Sequence, residues 1–396
     1  MRKDAIVIAL IGVGHAISHF LQLSLPPLFP FMREELGVSY VSLGFVLTLF
    51  YGVSALLQPL AGFVVDRRGG LMVLLGGLAL MVAGTLVMAF ANGIGLLAAG
   101  AVVSGIGNSV FHPADFAILN ARVSPPRLGH AFSLHSVSGS IGFAVAPLFS
   151  ATAASLFGWH GALLATAGVA FAVLVLLLFQ SQRISMQAAP SRAKKAFSED
   201  AKVLLSLPIL GCFLFFALHA GAFTGLLTFG IAAMKEQFGV SAVLASSAIA
   251  AYMAGSACGA IAGAFVAARS RRPNLVAGAA LTVSACGILS IASGAVPGAS
   301  LPFVLAVSGF ALGFTYPSRD LIVRAATPPG AAGRVYGFVY AELDVGSFAT
   351  PMIYGYLMDQ GAPNAVFYVI FAFTVAALAT ILQLVFVGNP AAVKKA

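Results

Sequence analysis

The chain has 396 residues, of which 60% are hydrophobic and 8% charged, with a net charge of +9. Soluble domains carry about 45–50% apolar and about 25% charged residues, so this composition argues against a water-soluble globular protein. A charge of +9 alone would suit nucleic acid, but the basic residues are placed as a membrane orientation signal, and no nucleic-acid partner is expected. Cys212, Cys258 and Cys286 lie in apolar stretches and give neither a disulfide framework nor a metal-ligand spacing.

About 20 apolar residues cross a ~30 Å hydrocarbon core as a helix. The pattern predicts an all-α membrane protein of twelve spans. The first, 5–31, is too long for a signal peptide and lacks a small-residue cleavage pattern, so it is expected to be retained. It carries His15, His19 and Gln22 at i, i+4 and i+7, on one face. Spans 40–65 and 71–91 follow. Span 95–120 carries a stripe of Ser104, Asn108, His112 and Asp115, with Asp115 towards the inner end. Span 128–157 holds His135 among Ser133, Ser136 and Ser138, and span 160–180 completes the first half.

The longest connection, from Gln180 to about Ser206, contains Arg192-Ala193-Lys194-Lys195. An amphipathic stretch from Glu199 to Leu207 is expected at the membrane surface. Span 207–233 has His219 at mid-depth. Spans 241–267 and 274–294 precede span 300–323, which carries Tyr316, Arg319 and Asp320. Span 334–358 holds Glu342 and Asp344, two apart and therefore pointing in different directions. Span 364–387 is last. The expected domains are an N-terminal six-helix bundle (1–180), a linker (181–206) and a C-terminal six-helix bundle (207–396).

With the N-terminus inside, every Lys and Arg except Arg33, Lys235 and Arg319 falls at an inner loop or end. The positive-inside rule then places both termini in the cytoplasm of a bacterial inner-membrane protein.

The second half repeats the first. Gly105, Pro113, Gly129, Gly142 and Pro147 recur 204 residues on as Gly309, Pro317, Gly333, Gly346 and Pro351. His15 finds His219 at the same offset, and Glu34–Ser39 is echoed by Glu236–Ser241 at 202. Duplicated membrane bundles place a substrate naturally between them. The charges do not repeat: Asp115 corresponds to Arg319 and Ser138 to Glu342. Coupling chemistry is therefore expected in the asymmetric charges, above all in the second half.

The loop Gly62-Phe63-Val64-Val65-Asp66-Arg67-Arg68-Gly69-Gly70 resembles the Gly-x-x-x-Asp-Arg-x-Gly-Arg signature of the major facilitator superfamily, departing at Gly70. The second copy, Gly263 through Arg272, keeps a glycine and the arginines but loses the acid. Phe111-His112-Pro113, followed by Gly129 and the Gly142…Pro147 helix, is similar to the fosmidomycin-resistance-type branch and related bacterial exporters. Ala101 and Ala146-Pro147 stand where general antiporter signatures have Arg and Gly-Pro. The resemblance implies the major facilitator fold, with spans one, four, seven and ten lining a cavity.

No Walker loop is present, so a secondary transporter working by alternating access is expected, and neither an enzyme nor a cofactor. The expected solute is small and organic, anions included, and export is favoured. Proton-linked uptake of a carboxylate is the main alternative. Transition-metal transport is opposed by ligands on separate helices and by the lack of a Met-x-x-x-Met or His-rich tract; a sensor that moves nothing is a further alternative. Substrate contact is expected from His15, His19, Gln22, Asn108, His219, Tyr316 and Arg319. Proton carriers are sought among His15, His19, His219, Glu342 and Asp344, and gating residues among Asp66, Arg67, Asp115 and Asp320. Asp66 can latch the inner side through Arg67 or a helix N-terminus. His112 and His130 are read as candidate helix–helix hydrogen-bonding partners. The remaining partners are membrane lipids, and a monomer is expected.

Overall fold

The structure, a computed structural model, describes residues 2–184, 205–267, 269–270, 273–326 and 342–387. For Asp66, Arg319, Asp320, Glu342 and Asp344 only the backbone is described, and the Glu199–Leu207 stretch falls largely outside the described residues.

Among the described residues the regular structure is helical. α1 (Arg2–Ser24), α2 (Phe29–Leu36), α3 (Tyr40–Arg68), α4 (Gly70–Ala89), α5 (Ile94–Asn108), α6 (Phe111–Arg122), α7 (Leu128–Phe179) and α8 (Ser181–Ile184) form the first half. α9 (Leu207–Phe238), α10 (Ala242–Ala267), α11 (Pro273–Ala292), α12 (Leu301–Ala326), α13 (Glu342–Ala349), α14 (Pro351–Asp359) and α15 (Pro363–Val387) form the second. Among the described residues 10 segments are long and apolar enough to cross a membrane.

That number reconciles with twelve expected spans. One segment, Pro125–Phe179, has 55 residues, roughly 80 Å of helix and far more than one crossing needs. Gly158 divides it, with φ 69 and ψ 173, a left-handed φ that a Cβ disfavours. Just after that break, Trp159 Nε1 donates to Glu35 Oε2 (2.9 Å), and His160 stacks on Trp159 at 3.5 Å and reaches Glu35 Oε1 (3.1 Å). The break is thus pinned beside the end of α2. The eleventh span is described only from Glu342, as α13 and α14.

Two other spans are broken where single helices were expected. The first ends at Ser24 and passes through a 3-10 turn, Pro26–Leu28, into α2. The fourth breaks at Ser109–Val110 between α5 and α6. Pro113 has no N–H to return to residue 109, which removes one rung of the helical ladder at the break.

The chain divides into two compact units: Met1–Arg192 with Pro351–Asp359, and Ala193–Thr350 with Gln360–Ala396. α14 thus belongs with the first unit, although its chain neighbours belong to the second. Lipid offers helices no hydrophobic reason to associate, so close backbone packing between small residues must supply it. In the first unit Gly84 and Gly100 meet so closely that a Cβ on either would lie 2.5–2.6 Å from the other's carbonyl oxygen. In the second unit Gly255, Gly259 and Gly263, four residues apart, lie on the carbonyls of Ala306, Phe310 and Phe314.

The duplication is visible in these contacts. Gly142 packs on the Ala16 carbonyl, and Gly346 packs on Ala220, each residue 204 on. Gly105 meets the Phe50 carbonyl and Gly309 that of Tyr252.

Candidate functional site: a buried histidine–aspartate cluster

α1, α6 and α7 meet inside the first unit. α1 brings His15 and His19, α6 brings His112 and Asp115 one turn apart, and α7 brings His135. Their convergence depends on two glycines of α7. A Cβ at Gly139 would lie 2.9 Å from His15 Nε2, and one at Gly142 would run into the Ala16 carbonyl and lie 3.0 Å from His19 Cβ. Without side chains at these two positions, α7 comes close enough for the imidazoles of α1 to lie against it.

Asp115 is the centre of the cluster and is fully buried. Its Oδ2 is 3.0 Å from His135 Nε2, within a hydrogen bond, and 3.2 Å from His15 Nδ1. The His15 and His135 rings stack at 3.6 Å with 22° between their planes. His19 lies 4.4 Å and His112 5.2 Å from His15, centroid to centroid. Apolar rings close the rest: Phe143 stands edge-on to His19, and Phe116 lies 5.0 Å from His135.

Four buried polar atoms in this cluster lack a well-formed hydrogen bond: His15 Nδ1, both nitrogens of His19 and Asp115 Oδ1. Each such orphan costs about 1–3 kcal/mol. Ionisable groups buried in this way within membrane helices make the cluster a candidate functional site. With four neutral imidazoles the carboxylate gives it a charge of −1, and a single added proton makes it neutral.

Ring nitrogens of His15, His112 and His135 lie within 4.8 Å of one another, close enough to raise the question of a metal ion. The stacked rings of His15 and His135 bring His15 Nδ1 and His135 Nε2 to the same carboxylate oxygen, Asp115 Oδ2, so the carboxylate stands where these two nitrogens meet.

A second polar chain runs beside the cluster. Gln22 Nε2 donates to Asn108 Oδ1 (2.9 Å), and Asn108 Nδ2 donates to Ser54 Oγ (2.8 Å). Gln22 and Ser104 line a cavity of about 20 Å³, room for one water.

The second unit has a different lining at the corresponding positions. His219 has Phe215 and Tyr316 at 6.3 Å and Phe223 at 6.2 Å, and Ser256 Oγ donates to Tyr316 Oη at 3.4 Å. By the 204 offset His19 becomes Phe223 and His112 becomes Tyr316. The rings are kept and the imidazoles are lost.

The expected residues therefore sort into three groups. His15 and His19 join Asp115, while Gln22 pairs with Asn108 and His219 neighbours Tyr316. Arg67 is exposed, and the side chains of Asp66, Arg319, Asp320, Glu342 and Asp344 lie outside the described residues. Asp115, expected near the inner gate, is enclosed by imidazoles. Sequence reasoning undervalued His112 and His135: each is alone on its own helix among these rings, and only the crossing of α1, α6 and α7 joins them. Their spacing on α6 to Asp115, and on α7 to Gly139 and Gly142, was the available signal. His130 is exposed.

The Major Facilitator Superfamily model matches residues 11–233 and 219–396. An uncharacterized MFS-type transporter of Bacillus subtilis, YfnC, is 28% identical over 204 residues, 51% of this chain and 50% of that protein. The fosmidomycin resistance protein of Escherichia coli is 25% identical over 152 residues, 38% of this chain and 37% of that protein. The matched region thus spans half or less of these curated relatives. Among solved structures, a point mutant of the nucleoside transporter NupG is similar in fold, with a TM-score of 0.78 at 14% identity, covering 96% of this chain and 99% of that one.

Proposed function

The chain belongs to the Major Facilitator Superfamily, and we propose that it is a secondary active transporter exporting a small organic solute, anions included, across the bacterial inner membrane in exchange for protons. The observation that carries this reading is the buried Asp115–histidine cluster, a titratable group enclosed within helices of spanning length. Ionisable residues at such depth are costly and mark ion or substrate pathways. The similarity to a fosmidomycin resistance protein favours export and a phosphonate-like anion as the first probe. In this reading the bundles 1–180 and 207–396, joined by 181–206, alternate access by rocking. Asp66 and Arg67 hold the cytoplasmic side in one state, and the solute meets Gln22, Asn108, His219, Tyr316 and Arg319. Both termini are cytoplasmic.

Labelled fosmidomycin in cells expressing the chain tests the direction. Export lowers the internal level several-fold, and a protonophore abolishes the difference. A rise with expression would support the second reading, carboxylate or anion uptake, which Arg319 within a span favours. No protonophore effect in either direction would refute proton coupling.

A further inference from the structure

The asymmetric charges of the sequence lie mostly in the second half, whereas the buried titratable cluster lies in the first. We propose that Asp115, clamped by His15 and His135, is the proton-loading site, with His19 and His112 completing its shell. This assignment rests on the proton-coupled reading and adds the residues that carry it.

Three features argue for it. The carboxylate is fully buried, its Oδ2 shares a hydrogen bond of 3.0 Å with His135 Nε2 and has His15 Nδ1 3.2 Å away, so a proton can pass between Asp115 and His135 without a change of helix position. Among the described residues, every titratable neighbour found on the packed helices is a histidine: His15 and His19 from α1, His112 from α6 and His135 from α7. None of these carries a permanent charge, so within this shell the carboxylate is neutralised only by a proton. Finally, four buried polar atoms left without well-formed hydrogen bonds belong to this same set, so protonation and hydration on opening have somewhere to act.

Proton balance follows directly. The loaded cluster holds one proton more than the bare carboxylate with four neutral imidazoles, and is neutral. The unloaded cluster carries −1, which is stable only where water reaches it. Loading therefore favours the dry arrangement of the cluster seen here, and release requires access to water. That asymmetry is what ties proton movement to a conformational cycle.

The site also explains why the second unit differs. Its corresponding positions, Phe223 and Tyr316, keep the rings around His219 but supply neither imidazole, and Asp115 is replaced by Arg319 at the offset. The first unit is then the ion-loading half.

The test uses the purified full-length chain in lipid and needs no known solute. Infrared difference spectra between acid and alkaline pH should contain a carboxyl signal that is lost in Asp115→Asn and altered in position or midpoint in His135→Gln. Wild-type spectra that survive both substitutions overturn the assignment. So does stoichiometric Zn2+ binding that disappears in either variant, because the cluster would then be a metal site. If Asp115→Asn does not fold, the His135→Gln spectrum decides alone: an unchanged signal refutes the clamp. The two readings fail separately. Proton-driven fosmidomycin export that persists in Asp115→Asn sinks the site and leaves the function standing. An Asp115 signal in a chain that moves fosmidomycin without protons does the reverse.

Discussion

At the scale of single residues, the cluster depends on what is missing from α7. Gly139 and Gly142 have no side chains, and a Cβ at either would enter the space of His15, His19 or the Ala16 carbonyl. Inserting bulk into such a contact costs about 1–3 kcal/mol when the backbones cannot part. Gly142→Val should therefore lower the melting temperature of the purified chain by several degrees. Gly76→Ala, with nothing within 4 Å of the added carbon, should leave it nearly unchanged. Equal effects would mean that α1 and α7 do not meet as described. The shared face of His15, His19 and Gln22 was legible in the sequence because helical spacing alone defines it. The convergence with Asp115 and His135 was not, because it arises from a helix crossing, and a spacing rule sees one helix at a time.

At the scale of elements, α3 shows how a helix end is completed from a distant part of the chain. The first N–H groups of a helix lack internal partners. Here Tyr40 and Val41 each donate to the Asp359 carboxylate at 2.8 Å, Ser42 donates to Ser39 Oγ at 3.1 Å, and Leu43 donates to the Ser39 carbonyl at 3.2 Å. A carboxylate there is also favoured by the helix dipole. α14 lies against α3 closely enough that a Cβ at Gly44 would be 2.6 Å from the Pro351 carbonyl. Asp359→Ala should destabilise the chain by about 0.5–2 kcal/mol, the range for losing a helix cap, with Asp359→Asn costing less. Thermal unfolding of the two variants checks the order, and no loss in Asp359→Ala would show that α14 does not cap α3. Ser39 caps the helix from the adjacent residue. Asp359 was not legible as a cap in the sequence, being 319 residues from Tyr40. The break at Gly158 was legible, since the expected spans 128–157 and 160–180 divide there; the one at Ser109–Val110 was not, because length and hydropathy carry span 95–120 through it.

At the scale of the whole molecule, scaffold and chemistry follow different rules. Two of the glycine contacts, those of Gly105 and Gly142, recur in the second unit at Gly309 and Gly346, so the duplicated framework was legible in the sequence alone. The ionisable residues do not recur, and the sequence, weighing Arg319, Glu342 and Asp344, pointed to the second half. Burial and mutual distance, which a sequence does not carry, single out Asp115. In the proposed cycle, solute movement and proton movement are joined at that carboxylate. The most direct test is proton flux in proteoliposomes holding a pH-sensitive dye, with a fosmidomycin gradient as the driving force. Wild-type protein should move protons against the solute, and Asp115→Asn should abolish that flux while still exchanging labelled for unlabelled fosmidomycin. An undiminished proton flux in Asp115→Asn would contradict the claim.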